Sequence, residues 1–524
     1  MKKFLLVAVI SVFALVLTAC GGSGASSDKA NGSGKAKDGG SLIIGVTGDP
    51  EVINPNYASD RVTLTIQQAV YAPLFWEVDG KPALAKSLDI SDDNLTYTVK
   101  LKDGLTWHDG KPLTADDVVF TVNSILDTKQ NSPNRGNFVF DDKPVKVEAV
   151  DDTTVKFTLP TVAPAFENTI KTFFPIPKHI FEGVENIEKS DKNKNPIGSG
   201  PYKFVEYKTG EYVSLERFND YFDGKPKLDK VTFRITKDQN AANLALQNGE
   251  INLKSIQPSD RNKVEKASAV NIITYPENRL SYATFNENQP ALKSKELRQA
   301  LSYALDREEI IDAAYGSDEY AKPASSFLTE NTKYFTDKVE TYDQDIAKAK
   351  KLVKESGFDT SQKLTVYYLN NSKSQESIAL YLQQQYKEIG VTLDLKPTDP
   401  NALSNITLDR KNADYSIALN GYIMGNDPDA YKSLYLSDAP YNYSNYHNKD
   451  LDALWEKGAV TADDKERQEI YEKIQNTIAD DAVIYPISYD NAVLALDSRC
   501  GGQKAATPQP VTMFRDLSKL YLTE

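Results

Sequence analysis

Cysteine, methionine, tryptophan and histidine are nearly missing from this chain: 524 residues hold 2 Cys, 3 Met, 3 Trp and 3 His. Two cysteines allow one disulfide at most, so stability must come from a core rather than from covalent staples. His108, His179 and His447 are too widely spaced to build a direct metal site, and no cofactor is expected. Positive charge is also in deficit. The net charge of −13 and pI near 5.0 argue against nucleic acid, which needs a basic face. The charges are scattered, as solubility alone requires. No H-E-x-x-H, no G-x-S-x-G and no Ser-x-x-Lys with its partner motifs occurs, which leaves a hydrolase without machinery. Ser199 lies between glycines, but Pro201 breaks any helix start there. Cys500, near the C-terminus, reads as an incidental residue and not as a nucleophile.

Long apolar runs are absent except for one. Met1–Lys3 carry positive charge, Phe4 to Leu17 is almost wholly apolar, and Leu17-Thr18-Ala19-Cys20 closes the run with small residues. This is a secretory signal, shorter than the about 20 residues that a membrane span needs. Leu-Thr-Ala-Cys resembles the bacterial lipobox. The resemblance implies that Cys20 is lipidated, becomes the mature N-terminus and ties the protein to the outer face of a cell membrane. Cys500 is then alone, and no internal disulfide can form. Residues 21–40 are Gly, Ser, Lys and Asp with almost nothing apolar, a flexible tether of roughly 25 Å root-mean-square span. The lipid anchor and the Lys/Asn/Tyr-rich composition point to a Gram-positive surface.

Beyond the tether the chain is rich in structure signals. Roughly 500 mature residues exceed one ordinary core and predict two or three domains. Ser41–Val46 reads as a strand and Val62–Val70 as a helix. Thr114 with Asp117 three residues on reads as the start of a helix to Leu126. Tyr202–Tyr207 and Tyr212–Phe218 read as a hairpin, Ser374–Ile389 and Asp464–Ala479 as helices, and Val483–Ser488 as a strand. Strands and helices alternate without a short repeat, which argues for mixed α/β or α+β domains. Tyrosine (29) and phenylalanine (20) dominate the aromatics. A tyrosine-rich surface suits polar organic ligands, although core and strand usage accounts for most of them.

Several segments together resemble one family. Lys102–Phe120, with Trp107-His108-Asp109-Gly110-Lys111-Pro112 at its centre, resembles the hallmark of family 5 of the bacterial extracytoplasmic solute-binding proteins. Gly198-Ser199-Gly200-Pro201-Tyr202 resembles its Gly-x-Gly-Pro-Tyr turn. Leu297-Arg298-Gln299-Ala300-Leu301 with Ala304-Leu305-Asp306-Arg307, then Ala347–Gly357 and Phe514-Arg515, come in the family's order. The resemblance implies a bilobed, periplasmic-binding-protein-like fold with an extra subdomain and a two-crossing hinge. By analogy one lobe takes residues 41–72, 198–283 and 488–524, with a subdomain at 73–197, and the other takes 284–487. The implied function is the substrate-binding component of a peptide ABC importer. It captures extended oligopeptides between closing lobes and delivers them to the permease, acting as a monomer.

The loop Gly421-Tyr422-Ile423-Met424-Gly425-Asn426-Asp427-Pro428-Asp429 resembles the family loop that supplies a carboxylate for the peptide N-terminus. It is a residue shorter than usual, and Gly425-Asn426 stand where the first acid is expected. Asp427 is the candidate for the ammonium, with Asp429 second, although Asp-Pro also starts turns. Tyr422 is expected to flank the ligand backbone or fill the core. Asn286, in Thr284-Phe285-Asn286 at the lobe junction, is expected to bond the ligand backbone or brace the hinge. Trp107 and His108 are expected to be structural. Other cargoes of such relatives (nickel chelates, haem, oligosaccharides, a signalling peptide) stay open as alternatives. An exported hydrolase is the different-class alternative.

Overall fold

The computed structural model describes residues 35–76, 80–266 and 269–524. The expected signal sequence, Cys20 and the expected tether as far as Gly34 lie outside the described residues. The architecture is mixed α/β and bilobed. One sheet of eleven strands runs through both lobes. Ser41–Val46 pairs in parallel with Lys230–Ile235, which continues antiparallel into the hairpin Tyr202–Lys208 and Tyr212–Arg217. At the far edge Lys363–Leu369 pairs in parallel with Thr392–Thr398 and with Ile417–Ile423.

Two long strands join these halves. Val270–Phe285 and Ile484–Asp497 pair antiparallel over nearly their whole length, and both lobes hang from them. The sequence reading names no strand over the first and ends the second at Ser488. Proline explains the first error. Pro276 lacks an N–H and sits where the ladder slips, between Pro276 and Arg279, with Asn278 in the left-handed region at φ 52°. Asparagine is among the few residues that adopt this conformation without much strain. A bulge absorbs in three dimensions what reads as a strand breaker in one.

The subdomain sheet, in the order Ala85–Ile90, Thr96–Leu101, Thr154–Thr158, Lys146–Asp151, packs against the helix Ala115–Leu126. That helix starts as its sequence predicts. Thr114 and Asp117 form a reciprocal capping box. Phe166 sits at the centre, meeting Tyr97, Phe138, Phe140 and Phe157 edge to face at 5.3–5.9 Å. This core is continuous with that of residues 41–235, whereas Ala283–Ile487 and Leu280–Tyr489 form two further apolar clusters.

The two strongest motifs meet in one junction. Gly198 and Gly200 press on the end of the helix Arg61–Val70, where a β-carbon would come within 1.8 Å of Val70 O and 2.6 Å of Ala69 O. The His108 ring lies across this turn. Its Nδ1 accepts from Gly198 N at 3.2 Å and its Nε2 donates to Gly200 O at 3.0 Å. Trp107 beside it is fully buried. Both residues occupy structural positions, and neither lines the cavities between the lobes.

Cys500 is buried, with its thiol 3.7 Å from Asn252 O. Burial, with a smaller push from the Asp497 charge, raises its pKa to about 12. The thiolate is the reacting form. A chain beginning at Gly21 is therefore expected to show no titratable thiol with a disulfide reagent at pH 8 while folded, and one in guanidinium. A native thiol that reacts at the rate of a free cysteine contradicts this burial.

Candidate functional site

Two cavities open between the lobes along the joining strands. The first, about 450 Å³, is walled by Leu64, Gln67 and Gln68 of the helix Arg61–Val70, by Phe75 and Trp76, and by residues 508–512; Asn331, Met424 and Asn426 face it from the other lobe. The second, about 380 Å³, is walled by Arg61, Glu277, Arg279 and Asp490, with Asn420 and Gln375 from the second lobe. Arg61 and Glu277 stand between them, paired at 2.7 Å. Both volumes fall within the range of ligand pockets.

The first cavity carries no Asp, Glu, Lys or Arg among its described lining residues. Its chemistry is that of amides and rings. Gln509 Nε2 donates to Thr512 Oγ1 at 2.6 Å, which leaves Gln509 Oε1 buried without a donor. Gln67 Oε1 is buried and unpartnered in the same wall. Buried acceptors without donors are costly, and a ligand N–H repairs the deficit. Gly425 narrows the rim, since a β-carbon there would lie 3.5 Å from Asn168 Nδ2 of the opposite lobe.

The second cavity is charged. Asp490 accepts from Ser281 Oγ and Ser488 Oγ at 2.6 Å each and from Tyr315 OH at 3.1 Å, and Arg279 Nε lies 3.3 Å away. Burial pushes the Asp490 carboxyl above its ordinary value, against the opposing pull of Arg279 and the three hydroxyls.

The residues singled out from the sequence lie elsewhere. None of Asp427, Asp429, Tyr422 and Asn286 lines either cavity. Both Asp427 oxygens are held by Arg467, whose Nη1 and Nη2 each approach within 2.7 Å, and the same carboxylate caps the turn at Asp429 N. Arg467 is 2% exposed and Asp427 14%. An ammonium would have to displace a bidentate pair that is almost out of water. Asp429 accepts from Lys432 Nζ at 2.8 Å and Tyr471 OH at 3.3 Å. Tyr422 fills the second lobe's core, donating to Phe327 O at 2.6 Å and packing on Tyr282 and Tyr431. Asn286 is fully buried. Its Nδ2 donates to Asn412 O and Tyr415 O, and its Oδ1 accepts from Asn288 N and from Asn445 Nδ2. No donor or acceptor of its amide is left for a ligand. The loop therefore comes to the cleft through Met424 and Asn426, and the Asp427–Arg467 pair holds it there.

Sequence reasoning missed Gln67, Gln509, Arg279 and Arg467. Only Arg467 left a signal. It falls on the apolar stripe Ile470, Tyr471, Ile474, Ile478 of a helix, where a buried arginine demands a carboxylate.

A sheet shared by two lobes, with cavities walled from both, defines a two-lobed ligand-binding protein. The sequence model described as bacterial extracellular solute-binding proteins, family 5 middle, matches residues 80–445. The chain belongs to this family of binding proteins. It is 33% identical to the oligopeptide-binding protein AppA of Bacillus subtilis strain 168 over 523 residues, 95% of each chain. A crystal structure of AppA from Clostridium difficile superposes with a TM-score of 0.85 at 40% identity, covering 92% of this chain and 100% of that one. The B. subtilis AppA structure, in complex with a nonapeptide, gives 0.77 at 30% identity over 94% and 100%.

Proposed function

We propose that this protein is the peptide-capturing component of an ABC importer. Its two lobes close on an extended oligopeptide and deliver it to the permease. The observation that carries the reading is the pair of buried, donorless acceptors, Gln67 Oε1 and Gln509 Oε1, in a cavity walled by both lobes. A peptide backbone supplies N–H groups to such acceptors, and rings such as Trp76 and Tyr275 tolerate varied side chains. The similarity to the AppA oligopeptide-binding proteins points the same way. Closure about the joining strands fits lobes divided near 283 and 488, since ligand bridging two lobes shifts the open–closed balance. Lipidation at Cys20 and anchoring at the outer face of the cell membrane rest on Leu17-Thr18-Ala19-Cys20 and the tether behind it. The protein acts as a monomer in this reading.

Native mass spectrometry of the chain from Gly21, before and after mild denaturation, tests the cargo. Released masses forming a peptide ladder support the reading. A single non-peptide mass overturns it. Gln67→Leu and Gln509→Leu are each expected to weaken peptide binding by roughly tenfold, about the worth of one buried hydrogen bond. Titration calorimetry on the stripped protein measures this, and unchanged affinity in both variants removes the acceptors from the site.

A further inference from the structure

A third cavity, about 420 Å³, lies where the chain enters the fold and shares no lining residue with the two between the lobes. Gly502 helps to form it. Its φ is 87°, and a β-carbon there would lie 2.1 Å from Lys519 O, so only glycine lets the segment at 502–505 press on the turn at 518–519. The wall is basic, in a chain whose net charge is −13. It carries Lys225, Lys227, Lys504 and Lys519 against one carboxylate, Asp223. Asp223 takes Lys519 at 2.6 Å, with Asp516 behind at 3.6 Å, and Asp38 reaches Lys225 at 3.8 Å. Lys227 and Lys504 are exposed, and no carboxylate among the described residues pairs with either.

Two further observations point to an anion and to its source. Ser518, in the same wall, is 4% exposed, and its Oγ is a buried hydroxyl without a partner. A concave site with surplus ammonium groups and a spare hydroxyl suits a phosphate oxygen cluster. The rim is also where the N-terminal segment is pinned. Ala36 bridges Thr523, Lys37 N donates to Leu522 O at 2.9 Å, and Gly39 N donates to Lys227 O at 2.8 Å. Only residues 21–34 separate this rim from Cys20. As the Gly/Ser tether their composition predicts, they reach about 20 Å root mean square. A lipid on Cys20 therefore keeps this cavity close to the headgroups, within about two Debye lengths at 0.1 M salt.

We propose that this cavity binds the phosphate of an anionic lipid headgroup, with Lys227 and Lys504 as its charge partners and Ser518 behind them. The inference rests on the anchoring at Cys20 and adds an orientation to it. An acidic body is repelled by an anionic bilayer, so the basic cavity at the foot of the tether is the part that the surface attracts. The body then stands on this face, and the cleft, walled by other residues, is left free for ligand.

The test couples a chain beginning at Cys20 through that thiol to a maleimide lipid; Cys500 is buried and does not compete. Vesicles are phosphatidylcholine alone or with about one-third phosphatidylglycerol. Lysines are acetylated briefly and read by peptide mass spectrometry. On the anionic vesicles labelling of Lys225, Lys227 and Lys504 is expected to fall at least about threefold, and about 0.5 M salt should restore it. Lys350 and Lys354, exposed on the second lobe, should not change. Lys227→Gln/Lys504→Gln is expected to lose the protection of Lys225 while binding peptides as wild type does. Equal labelling on both vesicles, or protection of Lys225 unchanged in the double variant, overturns the site. Protection by inorganic phosphate without vesicles, with none from anionic vesicles, assigns a free anion and overturns the headgroup. The coupling supplies the anchor, so none of these outcomes depends on native lipidation. The intact mass of protein extracted from membranes tests that separately, and a Cys20 without acyl chains overturns the anchoring instead.

Discussion

Replacing Asp427 with alanine is expected to destabilise the protein by about 3–5 kcal/mol and to weaken free-amine and N-acetylated peptides alike. The loss arises from the partner left behind. Arg467 is 2% exposed, donates both terminal nitrogens to Asp427 and its Nε to Gly458 O, and lies over the rings of Tyr471 and Tyr334 at 5.1 and 5.6 Å. Burial alone disfavours its charge, and the Asp427 bonds and charge more than reverse this, driving its pKa above the ordinary arginine value. Removing the carboxylate strands a buried cation. The loop that carries Met424 and Asn426 to the cleft then loses its anchor, so affinity falls for any ligand that touches it. A ligand ammonium held by Asp427 predicts something different: selective loss for free-amine peptides at unchanged stability. Guanidinium midpoints for wild type, Asp427→Ala and Asp427→Ala/Arg467→Met decide between the two. The double variant removes both charges and should recover most of the stability. A single variant as stable as wild type that discriminates against free amines returns Asp427 to the ligand.

The difference between these readings shows what a single sequence carries. Asp427 followed by proline is a local pattern, whereas its partner lies 40 residues away on another helix. Local devices were legible. Thr114 and Asp117 cap their helix because both halves of the box fall within one turn. The ordered motifs also carried the two-lobed plan. Contacts between motifs were not legible: nothing in Trp107-His108 or in Gly198-Ser199-Gly200 says that one imidazole closes on the other's backbone. The first joining strand was lost at Pro276 because a bulge is a property of two paired strands, and its partner was read only as far as Ser488. Gln67 and Gln509 are ordinary amides on distant segments, and what marks them is the donor each lacks after folding. Arg279 belongs to the same class, since its seat is made by Gly421 on the neighbouring strand.

The His108 junction predicts a large dependence of stability on pH. Gly198 N–H can only donate and Gly200 O can only accept, so the ring must be neutral, with its proton on Nε2. A second proton would sit on Nδ1 and face a donor. Burial adds to this and lowers the His108 pKa from 6.5 to about 4. In the unfolded chain the ring titrates near its ordinary value of about 6.5. Between these values the unfolded state binds the extra proton and the folded state does not, so stability falls as pH drops from about 6.5 to about 4. The loss by pH 4.5 is about 2–3 kcal/mol from this one ring, at 1.4 kcal/mol per unit. The carboxylates of the chain titrate in the same range, so the measurement is a difference. Wild type and His108→Gln are unfolded in guanidinium at pH 7.5 and at pH 4.5. The variant should be less stable at pH 7.5, where it loses the imidazole bridge, yet its further decline on acidification should be smaller than that of wild type by about 2–3 kcal/mol. Equal declines would mean that the ring takes up its proton in the folded state. The junction between helix 61–70 and the turn at 198–200 would then have to rearrange to admit it.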